Sequence, residues 1–108
     1  MNVRRGIRER DIQKAILQFL TLKGIFHYRQ NSGGFMRDEH FYRMGVTGAP
    51  DIVAVIGGKY IGIEVKRPGG KMSEHQVRFK ENIERAGGIY WMFDSLDTAV
   101  DTIERYMP

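Results

Sequence analysis

The sequence predicts an α/β domain with a mixed central β-sheet flanked by helices, in the order α-β-β-β-α-β-α. Three observations carry that prediction. Apolar residues recur at helical spacing from Glu9 to Lys23, two short β-branched runs flank Gly57-Gly58, and a capped helical pattern followed by an aromatic run comes directly after them. A hairpin followed by a helix and a strand mixes the sheet, because the crossover helix can return the chain parallel to the second hairpin strand. The 108 residues amount to one domain with one hydrophobic core.

Each element has its own warrant. In residues 9–23, Ile12, Ile16, Leu17, Phe19 and Leu20 lie three and four apart, and Gly24 supplies the stop. The segment 24–31 is rich in aromatic and β-branched residues and reads as a strand. Residues 32–49 are glycine-rich with scattered charges and no surviving period, so a long loop is expected. Asp51–Ile56 and Lys59–Val65 joined at Gly57-Gly58 spell a β-hairpin. Ser73 and Gln76 form a capping box that opens a helix through Val77, Phe79, Ile83 and Ala86, closed by Gly87-Gly88. Ile89–Phe93 reads as a buried strand, and Asp94 or Ser95 caps a last helix running to Met107.

Composition narrows the chemistry. Seventeen Lys+Arg against 13 Asp+Glu give a net charge of +4 and a pI near 9.6, which permits a polyanionic partner without demanding one. There is no cysteine, which excludes disulfides, thiolate zinc sites and cysteine nucleophiles. No apolar run approaches the roughly 18 residues of a membrane span, and the opening MNVRRGIRERDIQ has charges without an apolar region behind them. The expectation is an untargeted intracellular protein with no membrane partner.

The chemistry-bearing residues gather on the hairpin. A two-residue turn at Gly57-Gly58 sets Asp51 opposite Glu64, and facing residues of an antiparallel pair point to one side about 4.5–5.5 Å apart. Lys66, two positions beyond Glu64, shares that side. The neighbouring Ile52, Val53, Val55, Ile61, Ile63 and Val65 are apolar and fall on both faces of the hairpin, so both strands are expected to be central and buried on both faces. Two carboxylates that close in a buried setting repel unless one is protonated or a cation separates them. A divalent metal resolves the conflict, and oxygen ligands without His or Cys favour Mg²⁺ or Mn²⁺ over zinc. A lysine beside such a pair suits phosphodiester hydrolysis; the competing reading is an exposed cross-strand salt bridge.

The ordered set Gly48-Ala-Pro-Asp51, the glycine turn, Glu64-Val-Lys66 and Gln76 resembles the PD-(D/E)xK nuclease superfamily. More narrowly, the stretch from Thr47 to Gly88 is similar to the virus-type replication-repair nuclease (VRR-Nuc) family, in its small stand-alone phage and bacterial form. That resemblance implies a restriction-endonuclease-like αβββαβ core, here with a C-terminal helix. It implies a metal held by Asp51, Glu64 and the backbone carbonyl of Val65, with Lys66 assisting the attacking water. It also implies a glutamate on the first helix, with catalytic and metal-binding roles. Glu9 falls on the backward projection of the Ile12, Ile16, Leu20 stripe and is favoured over Asp11, which lies on its flank. Gln76 is either the capping-box residue or a group at the edge of the site.

The implied activity is a Mg²⁺- or Mn²⁺-dependent endodeoxyribonuclease acting on branched DNA such as Holliday junctions, as a homodimer in the cytoplasm of a bacterial or phage-infected cell. The alternatives are a sequence-specific restriction-type nuclease and a non-catalytic nucleic-acid-binding module with a vestigial site. Arg4, Arg5, Arg67 and Lys71 are candidate DNA contacts. Phe35, Phe41 and Tyr42 are candidates for unpaired bases or a partner subunit, whereas Trp91 and Phe93 read as core. His27, His40 and His75 are never at ligand spacing, so no zinc is assigned.

Overall fold

The computed structural model describes residues 6–30, 33–44 and 46–108. The chain runs α1 (Glu9–Leu22), β1 (Phe26–Arg29), β2 (Gly33–Arg37), β3 (His40–Met44), β4 (Ile52–Ile56), β5 (Lys59–Val65), α2 (Glu74–Arg85), β6 (Ile89–Phe93) and α3 (Leu96–Tyr106). It is a mixed α/β fold. Four strands form one sheet in the order β1-β4-β5-β6. β4 pairs antiparallel with β1 and β5, while β6 lies parallel to β5. The crossover through α2 produces that parallel pair. Among the described residues no helix is long and apolar enough to cross a membrane.

The expected long loop at 32–49 is a correction. Most of it is a second hairpin, β2 with β3, standing as its own two-stranded sheet. The aromatic segments on either side of Asp38-Glu39 supply the strand propensity. The turn is made by Asp38 and Glu39 at φ +50° and +65°, a left-handed pair that two-residue hairpins ordinarily fill with Asn or Gly. No glycine marks the turn, so the sequence predicts none there.

α1 and α3 cover one face of the main sheet. Ile12, Ile16 and Leu20 from α1 and Ala99 and Ile103 from α3 close over Ile52, Ala54, Ile56, Ile61, Ile63, Val65 and Phe93. The period of three and four in α1 thus places its apolar stripe on the sheet. Lys23 and Glu104, 2.8 Å apart, tie the two helices at their edge. Trp91 packs against Tyr106 at 5.5 Å between ring centroids.

The opposite face follows a different pattern. β4 and β5 are central, but Val55 and Tyr60 are exposed, so the expected burial on both faces holds only toward the Asp51 and Glu64 end. α2 covers part of this face and contributes no fully buried residue.

Candidate functional site

The site lies where β4 begins and β5 ends. Ile52 pairs with Ile63 and Val53 with Gly62, and the same register sets Asp51 against Glu64. Asp51 Oδ2 accepts a 2.8 Å hydrogen bond from the Val65 backbone N–H. Glu64 is 2% exposed and the one buried charged residue of the described core. Its Oε2 accepts from Gln76 Nε2 at 2.8 Å and lies 3.6 Å from the Lys66 ammonium. Asp51, Glu64, Lys66 and Gln76 therefore meet in one place.

Close packing fixes the loop that delivers Asp51. Gly48 sits at φ +84°, and a Cβ there would lie 2.4 Å from the His75 carbonyl oxygen. A Cβ on Gly62 would come within 2.8 Å of Pro50 Cγ. The loop is thus pressed between the start of α2 and the floor of β5, with Pro50 buried. Only glycines allow both approaches.

Ser73 opens α2 and aims Gln76. Gln76 Oε1 accepts from the Ser73 N–H at 2.8 Å, and Ser73 Oγ accepts from the Gln76 N–H at 3.2 Å. The two readings of Gln76 as cap and as site residue coexist in one conformation: the amide oxygen serves the helix and the amide nitrogen serves Glu64.

The electrostatics match this crowding. Burial, and after it the Asp51 charge, push the Glu64 carboxyl up to about 8 against the opposing pull of Lys66. Burial also raises Asp51, opposed by the Val65 N–H, by Glu64 and by the charges of Lys66 and Arg29. Among the described residues two buried oxygens have no hydrogen-bond partner, Glu64 Oε1 and the Tyr90 hydroxyl. A crowded carboxylate pair with one orphaned oxygen is a donor set suited to a hard divalent cation, and the expected metal fits Asp51 and Glu64 on that ground. No third His, Cys, Asp or Glu joins them in a ligand cluster among the described residues.

The remaining expected residues spread outward. Glu9 is exposed at the first position of α1, and its charge raises the Glu64 carboxyl less than burial or Asp51 does. Asp11 is engaged elsewhere, 3.3 Å from Arg8. Arg67 and Lys71 are exposed in the segment between β5 and α2. Arg4 and Arg5 lie outside the described residues, as do the side chains of Phe35 and Tyr42; Phe41 is exposed on β3. His27 donates from Nδ1 to the Ile25 carbonyl at 2.7 Å, a local bond that needs no metal.

Two residues at the site escaped the sequence reading. Arg29, at the end of β1, acts electrostatically on Asp51 and lines a groove with Arg10, Asp11, Gln13, Lys14 and Leu17 of α1. Tyr90 is 3% exposed on β6, in register with Gly62. Its hydroxyl is raised by burial first and then by the charges of Glu64 and Asp51. The alternation of β6 was a usable signal, since Tyr90 and Met92 share the face opposite Trp91 and Phe93.

No family model matches the chain, and no curated protein matches it.

Proposed function

We propose that this chain is a divalent-metal-dependent DNA endonuclease with a PD-(D/E)xK core of the VRR-Nuc kind. The observation that carries the reading is the Asp51 and Glu64 pair, facing across β4 and β5, with Lys66 and Gln76 on Glu64 Oε2 and an orphaned Oε1 beside them. The order α1, β1, β4, β5, α2, β6 supports the αβββαβ core, with the β2–β3 hairpin as an insertion and α3 as an addition.

Asp51 and Glu64 would hold Mg²⁺ or Mn²⁺, with the Val65 carbonyl completing the protein ligands. When bound, such a cation offsets both carboxylates, polarises a phosphoryl oxygen and eases the ionisation of water. Val65 N–H orients Asp51, and Gln76 Nε2 orients Glu64. Lys66, whose side chain is 16% exposed, keeps its ammonium at the site, where it orients the attacking water or offsets charge on the phosphate. Glu9 adds negative charge from the rim. The basic groove of Arg10, Lys14 and Arg29 supports a phosphate backbone entering beside Asp51, with Arg67 and Lys71 as further contacts. Branched DNA and a homodimer with paired active sites come from the family resemblance and belong to the same proposal.

The test is cleavage of linear, flap and four-way DNAs with Mg²⁺, Mn²⁺ or EDTA. Metal-dependent cutting greatest on the branched substrates is expected. Cutting of one linear sequence would favour the restriction-type reading, and binding without cutting would favour the vestigial module.

A further inference from the structure

We propose that Tyr90 is a positioning residue for Glu64, its hydroxyl donating a hydrogen bond to the ionised Glu64 carboxylate when a divalent cation is held there. The inference rests on the metal-dependent reading of the site and adds a residue that neither the motif nor the resemblance contains.

Two buried oxygens at the site are unsatisfied. A buried hydroxyl or carboxylate oxygen without a partner is costly, and most such atoms in folded proteins are paired. Here Glu64 Oε1 and Tyr90 Oη are both buried and both lack one. They are neighbours on one face of the sheet. Tyr90 is in register with Gly62 and Met92 with Glu64 on the adjacent parallel strand, and Gly62 has no side chain to separate the tyrosine from the carboxylate. The hydroxyl feels the Glu64 charge more strongly than that of Asp51.

The two oxygens of Glu64 are treated unequally. Gln76 and Lys66 both address Oε2, so only one side of the carboxylate is held. An ionised carboxylate accepts on both oxygens and each has two lone pairs. A donor on the Oε1 side fixes the carboxylate plane and leaves a lone pair of that oxygen for a cation. Tyr90 is the buried donor in place to do this, and phenylalanine would fill the same volume without a stranded hydroxyl. Partners that orient metal ligands in this way commonly account for about 10–100-fold of metal affinity.

The experiment compares wild type with Tyr90→Phe by calorimetric titration with Mn²⁺ and by thermal unfolding in EDTA. About tenfold weaker Mn²⁺ binding is expected, with the EDTA melting temperature unchanged or raised. Equal Mn²⁺ affinity in the two proteins overturns the role of Tyr90 and leaves the metal site standing. A wild type that binds no Mn²⁺ overturns both. Should the variant fail to fold, Mg²⁺ titration of wild type carrying ¹³Cζ-labelled tyrosine decides instead: a downfield shift of the Tyr90 signal supports the new hydrogen bond, and an unmoved signal overturns it.

Discussion

The α1/α3 face of the sheet buries Ile16, Leu20, Ile52, Ile61, Ile63 and Ile103 completely, whereas the α2 face buries a carboxylate and leaves Val55 and Tyr60 in solvent. The buried side chains of the first face are all apolar. The second holds Asp51, Glu64 and Tyr90 with two stranded oxygens, and its covering helix has no fully buried side chain. Apolar burial favours folding, while buried unpaired charge opposes it. The two faces therefore separate the tasks of holding the chain together and of presenting reactive groups, and substitutions on them should have opposite signatures.

The largest expected effect tests that separation directly. Asp51→Asn or Glu64→Gln should reduce cleavage by orders of magnitude while keeping the fold, because each removes a ligand charge with little change of shape. Wild-type cutting by either variant would break the assignment. On the other face, Leu20→Ala should cost about 2–5 kcal/mol in a denaturant titration, through lost transfer energy and the cavity left behind. A loss well under 1 kcal/mol would show that the α1 contact is not a packed core.

The pH dependence sharpens the comparison. In EDTA, folded Glu64 holds its proton up to about 8 whereas the ordinary glutamate value is 4.5. Across that window the unfolded chain has released a proton that the folded chain keeps, so the stability present at low pH is lost as pH rises. Wild type should melt at progressively lower temperature than Glu64→Gln between roughly pH 5 and 8, and saturating Mg²⁺ should reduce the gap. A gap independent of pH would remove Glu64 as its source.

The smallest effect lies at the helix start. Ser73→Ala should cost about 1 kcal/mol as a lost N-cap and should also weaken Mn²⁺ binding, since Gln76 loses part of what aims it. Lost stability with unchanged Mn²⁺ affinity would separate the cap from the site.

What the sequence revealed depended on how locally each feature is determined. A two-residue glycine turn fixes an antiparallel register, so the opposition of Asp51 and Glu64 is legible in the sequence. The Ser73 and Ser95 caps were legible for the same reason, being contacts three residues long. The β2–β3 hairpin was not, because its left-handed turn is carried by Asp38 and Glu39. Tyr90 was not, because the parallel register of β5 and β6 is set by a crossover rather than by a turn. Arg29 acts on Asp51 from β1, the strand directly beside β4, and no turn in the sequence announces that pairing. Gly48 reads in the sequence only as the first residue of the Gly48-Ala-Pro-Asp51 motif, and it acts as clearance for the His75 carbonyl.

An amide side chain has a direction, and at Gln76 that direction is not free. Its oxygen is taken by the Ser73 N–H, so only its NH₂ end can be turned toward Glu64. Rotating the group by half a turn would set oxygen against carboxylate and NH₂ against N–H, breaking both contacts in one motion. The first turn of a surface helix thereby acts as a rotational lock on a group inside the site. Replacing that NH₂ by oxygen, as Gln76→Glu does, leaves the lock intact and reverses what it presents.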